Sequence, residues 1–246
     1  MPEQLLFTRF LNHVIGAPVA HLLTALHMAP SNPAAPIDNT LAMEVLVVLV
    51  LLVFFAVVRA SLKVETPGPV QHVAEMLHEF VSSQGESIIG KQAPSFVPFF
   101  TIVLLFILLS NLLGIIPGFE SPTASIVVPL GVALLTFVYY NFHGVRAQGP
   151  IGYLKHFFGP VWWIAWLLFP IEIISHLARI LSLTVRLYAN MFAGDLLTMV
   201  FFSLIPLGVP VVFLGLHFGV GIIQAYLFML LGMIYISQAV AHEESH

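Results

Sequence analysis

Residues 161–205 read VWWIAWLLFPIEIISHLARILSLTVRLYANMFAGDLLTMVFFSLI. The run is apolar over about twice the roughly 20 residues a helix needs to cross a bilayer, yet it contains Glu172, Arg179, Arg186 and Asp195. An arginine at the centre of a bilayer costs about 2.5–3.5 kcal/mol on insertion scales, so such residues face protein or water and by default mark function. At about 100° per residue, with Glu172 as origin, Ser175 falls near −60°, His176 near +40°, Arg179 near −20°, Ser182 near −80°, Arg186 near −40° and Asn190 near 0°. One arc of about 120° therefore holds every strongly polar residue from Glu172 to Asn190. Asp195 comes out near +140°, on a different face.

Two explanations of the arc compete. Glu172 and Arg179 can form a buried ion pair that only satisfies itself, but seven residues put two helical turns between them. Such a pair also leaves Arg186 without a partner in its own helix. No other residue is an obvious intramembrane counter-ion for Arg186 on that face, so another subunit is the simpler source of the carboxylate.

The next apolar run, 209–241, carries His217 and Gln224 seven residues apart on one face. Gly215 and Gly219 beside His217 form a small-xxx-small pair that lets another helix approach closely. A hydrogen-bonded core histidine is one reading. With Asp195 in the neighbouring helix, a histidine–carboxylate proton relay is the other, since histidine titrates near neutral pH. Asn111, near Pro117, either lines a polar access path or hydrogen-bonds a neighbouring helix. The remaining histidines, including His13, His21, His27, His72, His78, His242 and His246, lie at ends and interfaces in no metal-cage spacing. Trp162, Trp163 and Trp166 read as an interfacial aromatic belt.

Composition agrees with a lipid solvent. Of 246 residues, 59% are hydrophobic and 8% charged, with mean hydropathy +1.00; soluble domains carry about 25% charged residues. Eight Lys plus Arg make no nucleic-acid footprint, and the absence of cysteine excludes disulfides, thiolate catalysis and Cys-based metal sites. The first 40 residues lack the pattern of a cleaved signal peptide, and residues 18–28 suit an interfacial position. Residues 1–39 are read as an N-terminal outer-side segment and 40–246 as one integral membrane domain.

Spans are expected at 40–58, 94–116, 124–142, 161–205 and 209–241. The third is bounded by Pro122 and by His143-Gly144. The last two exceed the membrane thickness and are expected to form a long, strongly tilted hairpin, with Pro170 a candidate bend. Between the first two spans, 69–90 reads as an amphipathic helix on the membrane surface, or packed on a partner. Val70, Val73, Leu77, Phe80 and Val81 form its apolar face; Gln71, His72, Glu75, His78, Glu79 and Ser82 form its polar face. The expected fold class is thus an all-α membrane protein with five transmembrane helices plus one interfacial helix. Arg59, Lys63, Lys91, Arg146 and Lys155 then all fall on one side, the cytoplasmic one by the positive-inside rule. The N-terminus is outside and the C-terminus inside.

The run Ser182-Leu-Thr-Val-Arg186-Leu-Tyr-Ala-Asn190, continuing to Gly194-Asp195, resembles subunit a of F-type ATP synthases: a small residue, an arginine, a leucine, and an asparagine four residues after the arginine. Glu172, Ser175 and Arg179 upstream, His217 and Gln224 in the last helix, and the stretch from Asn111 to Pro117 extend the resemblance over most of the chain after residue 95. It implies that Arg186 faces the essential carboxylate of a rotating ring of small hydrophobic subunits (subunit c), reached by two aqueous half-channels. Asn190, Asp195, His217, Gln224 and Asn111 are then expected in the outer half-channel, and Glu172, Ser175 and His176 in the cytoplasmic one. Arg179 and Ser182 would support Arg186. Further implied partners are the peripheral stalk (subunit b), the remaining ATP synthase subunits and membrane lipid. No cofactor, metal or nucleic acid is implied, nor any bond chemistry by this chain alone. The implied location is a bacterial inner membrane. Two departures stand out: Asp195 is shorter than the Glu common there, and Ser125 and Val127 replace a common Asp and Asn. The loop from Ser121 to Val127 is therefore not expected to supply a charged access group.

Outside this resemblance, a stand-alone transporter is the main alternative. Such a protein would usually show an internal repeat or paired broken helices, and none is read here. A purely structural scaffold would leave Glu172, Arg179 and Arg186 on one face unexplained.

Overall fold

A computed structural model describes residues 4–25, 35–63, 68–116, 118–158, 165–204 and 208–240. Among them every regular element is helical: α1 (Leu6–Ala25), α2 (Asn39–Ser61), α3 (Pro69–Ile89), α4 (Val97–Leu113), α5 (Val127–Phe158), α6 (Ala165–Leu204) and α7 (Val209–Val240), with short 3-10 turns at Gly90–Ser95 and Pro122–Ala124. Backbone groups in hydrocarbon must be satisfied within the segment, and helices achieve this. Pro117, Trp162, Trp163, Pro206, His27, His242 and His246 lie outside the described residues.

Four helices, α2, α5 as far as Gly149, α6 and α7, are each long and apolar enough to cross a membrane. The fifth span of the sequence reading is α4, only 17 residues long and joined to the α3 segment through a 117° bend. That bend separates the amphipathic α3 from the apolar α4. Pro69 opens α3 at a position where its missing N–H costs nothing. At the other end Gly90, at φ 79°, turns the chain out of the helix.

The two faces of α3 differ from the expected ones. Gln71 is buried with Val81 and Gly85, because its carboxamide binds the chain before the helix. It accepts from Lys63 N (2.9 Å) and donates to Lys63 O (3.1 Å) and to Glu75 Oε1 (2.8 Å). Val73, Met76 and Phe80 are exposed instead, and at helical spacing they form an outward apolar stripe suited to lipid.

The third span also differs. His143-Gly144 does not end it, because Gly144 is a close-packing residue: a Cβ there would come within 2.6 Å of the Tyr153 ring and 3.1 Å of Ala239. The break comes at Gly149, whose φ of 76° and ψ of 158° are non-helical. At the chain's start, the segment read as outer-side and interfacial contains α1, seated through Leu11 on Ile37, Ala42 and Met43. Asn12 clamps it by exchanging hydrogen bonds with both backbone groups of Ile37 (2.9 and 3.1 Å).

The last two helices form the expected long antiparallel pair. At about 1.5 Å per residue, the 40 residues of α6 reach roughly 60 Å, twice the hydrocarbon thickness. Pro170 lies inside α6, which continues through it. Register is kept along the pair: Gly194 lies against the His217 ring, Arg186 O accepts from Gln224, and Arg179 sits over Tyr235. The buried centre is Phe100 and Ile107 from α4, Leu187 and Met191 from α6, and Met229, Met233 and Ile236 from α7. Outside it, Val48, Leu52, Val53, Leu135 and Val138 are exposed apolar side chains, as lipid-facing helices require.

Candidate functional site

The length of α6 separates its polar residues. Glu172 lies about 21 Å, and Asp195 about 14 Å, from Arg186 along the axis, in opposite directions.

Arg186 is half-buried and donates to Ser182 Oγ (3.2 Å), one turn away. Its carbonyl accepts from Gln224 Nε2 (3.0 Å), which fixes α7 beside it. Among the described residues no carboxylate lies within ion-pair distance of its guanidinium; the ion pairs found are His72–Glu75, His176–Glu172 and His217–Asp195. Beside it, Ser182, Val185, Ala189, Asn190 and Ala193 are exposed on α6, and Leu216, Ile222 and Ile223 on α7. The arginine therefore stands at the margin of an open, mostly apolar face.

Toward one end, His217 is 4% exposed with Nε2 3.7 Å from Asp195 Oδ1. That nitrogen has no hydrogen-bond partner among the described residues, so the pair is in reach but not bonded. The Nδ1 edge of the ring comes up against α6 because Gly194 has no side chain; a Cβ there would overlap it. The close approach beside His217 thus comes from Gly194, whereas a Cβ on Gly215 or Gly219 would meet open space. Glu120, just before the Ser121–Val127 loop, is close enough for its charge to act on Asp195, and its Oε1 accepts from Asn39 Nδ2 (3.2 Å).

Asn111 is fully buried one helical turn from this pair. Its Nδ2 donates to Gly221 O (2.9 Å), and its Oδ1 accepts from Thr123 (2.6 Å). Ser121 bonds Thr123 and Ser110 O. Of the two readings of Asn111, the contact seen is the helix-bridging one.

Toward the other end, Glu172 pairs with His176 (Oε1 to Nε2, 3.4 Å) rather than Arg179. His176 is buried, and its Nδ1 lies 2.7 Å from the Tyr140 hydroxyl of α5. The Arg179 guanidinium lies 5.0 Å from the centre of the Tyr235 ring, a cation–π contact. These residues, with Gln148, Tyr153 and Gln238, line a small, partly open cavity. Ser175 is half-buried beside His176. The sequence reading missed Tyr140 and Tyr235; a phenol inside an apolar span, needing a partner for its hydroxyl, is the signal that marks them.

Fold and site together define a class: a helical membrane protein with two titratable clusters at opposite ends of a long helix pair and, between them, an arginine without an ion-pair partner among the described residues. A family model described as ATP synthase A chain matches residues 41–237. The chain is 54% identical to ATP synthase subunit a of Koribacter versatilis, over 98% of this chain and 99% of that one. It is 47% identical to the Solibacter usitatus protein of the same name (95% and 99% covered) and 40% identical to that of Sulfurimonas denitrificans (75% and 83%). The chain belongs to the ATP synthase subunit a family.

Proposed function

We propose that this chain is the proton-translocating stator subunit of a rotary F-type ATP synthase, with Arg186 as the charge that divides two half-channels. The observation that carries the reading is Arg186 itself, half-buried at the edge of an open apolar face with no carboxylate in reach among the described residues. A ring of small hydrophobic subunits with an acidic residue at mid-membrane fits both that face and the missing counter-charge. A guanidinium holds its charge throughout the physiological range. It attracts a deprotonated rotor carboxylate, lets a protonated one leave into lipid, and repels a proton that would hop directly between half-channels.

In this reading Asp195, His217, Asn190 and Gln224 serve the outer half-channel, with Asn111 bracing it. Glu172, Ser175 and His176 serve the cytoplasmic one, and Arg179 and Ser182 support the arginine. The N-terminus lies outside and the C-terminus in the cytoplasm, with the peripheral stalk holding the chain against the rotor. Each charge crossing 100 mV is worth about 2.3 kcal/mol, so several crossings drive one ATP. Arg186→Ala in inverted membrane vesicles is expected to abolish proton-driven ATP synthesis. Near-normal synthesis would overturn the reading.

A further inference from the structure

We propose that Tyr140 is a positioning residue of the cytoplasmic path: it holds His176 against Glu172 and lets either ring nitrogen carry the proton. This rests on the function proposed above and assigns a role on a second helix, α5. The geometry is a chain of three groups. Glu172 Oε1 lies 3.4 Å from His176 Nε2, and His176 Nδ1 lies 2.7 Å from the Tyr140 hydroxyl. His176 and Tyr140 are 8% and 2% exposed, and the two rings stack at 5.9 Å with 20° between planes. The edge of Phe137 closes another side of the imidazole. All three groups of the chain line the same cavity.

The other ionisable groups around His176 are Arg179 on its own helix, Tyr153 beyond the Gly149 break and Tyr235 on α7. The Tyr140 hydroxyl serves both protonation patterns, because it both donates and accepts. In one pattern protonated Glu172 donates to Nε2, and Nδ1–H donates to the Tyr140 oxygen. In the other Nε2–H donates to the Glu172 carboxylate, and the Tyr140 hydroxyl donates to Nδ1. Passing from the first to the second moves the Glu172 proton onto Nε2 and the Nδ1 proton onto the Tyr140 oxygen. The hydroxyl's own proton goes to water in the cavity. One proton crosses the imidazole, and Glu172, left as the carboxylate, takes up the next proton to restore the first pattern.

The test is ATP-driven proton pumping by the intact complex in inverted vesicles, followed against the pH of the medium bathing the cytoplasmic face. The variants are Tyr140→Phe and a chain carrying 3-fluorotyrosine at position 140, nearly unchanged in size but with a more acidic hydroxyl. Tyr140→Phe is expected to lower flux roughly fivefold, the size of one hydrogen bond. Both variants are expected to move the pH of half-maximal flux by about half a unit or more. A wild-type pH profile in the fluorotyrosine chain would overturn the proposal, whether or not Tyr140→Phe assembles. A loss of flux with an unmoved profile in Tyr140→Phe would also overturn it, leaving Tyr140 a packing residue. Arg186→Ala in the same vesicles separates the two levels. If it stays coupled, the functional reading fails; if it is uncoupled and both Tyr140 variants behave as wild type, only the Tyr140 proposal fails.

Discussion

Gly194 illustrates how a site can depend on the absence of atoms. The His217 ring occupies the space its Cβ would fill, and that close approach brings Nε2 to 3.7 Å from Asp195. Gly194→Ala should push the ring away and lower proton pumping by about tenfold or more, since displacements near 1 Å can cost about a hundredfold. Pumping by purified complex in liposomes checks this. If the pair acts as a relay, exchanging Asp195 and His217 for one another should retain more flux than Asp195→Ala or His217→Ala. Arg186→Lys asks whether permanent charge matters, because a buried lysine can lose its proton while a guanidinium cannot. Weakened coupling in vesicle ATP synthesis is expected, and wild-type coupling would remove the need for a guanidinium.

Among the elements, α4 and α7 are joined by a polar network inside an apolar core. Asn111 donates to Gly221 O and accepts from Thr123, and Ser121 ties the 3-10 turn to Ser110 O. Asn111→Ala removes two buried hydrogen bonds at a cost of about 0.5–1.5 kcal/mol each. The melting temperature of the purified chain in detergent should fall. Thr123→Val should fall less, and the double variant should show less than the sum, because both remove the same bond. The amphipathic pattern of α3 was readable in the sequence, but its phase was not. Gln71 scores as polar and lies buried because Lys63 backbone groups wait for it, and no periodicity rule contains that partner. Likewise His143-Gly144 carries the signature of a helix end, yet Tyr153 and Ala239 packed on Gly144 make it an interior position.

For the whole molecule, the arrangement is one of axial separation. The Glu172 cavity and the Asp195–His217 pair meet different parts of α7, with the Arg186–Gln224 contact between them. Topology can be checked directly, because the chain has no cysteine. In intact cells, a membrane-impermeant thiol reagent should label His21→Cys, and in inverted vesicles it should label Ser61→Cys. The opposite pattern would invert the orientation and exchange the two half-channels. Both α6 and α7 exceed the membrane thickness, so in a bilayer they must tilt or project.

The amino-acid sequence by itself determined the membrane class, the number of long apolar segments and the candidate residues on α6. Those follow from composition and from a periodicity that one helix carries alone. Tertiary structure decided what each candidate touches: Glu172 with His176 rather than Arg179, Asn111 with Gly221, and Tyr140 with His176. These contacts join residues on separate helices, or select among neighbours on one, and depend on register and close approach between helices. A linear pattern encodes the face of a helix; the identity of what lies against that face is fixed only when the helices pack.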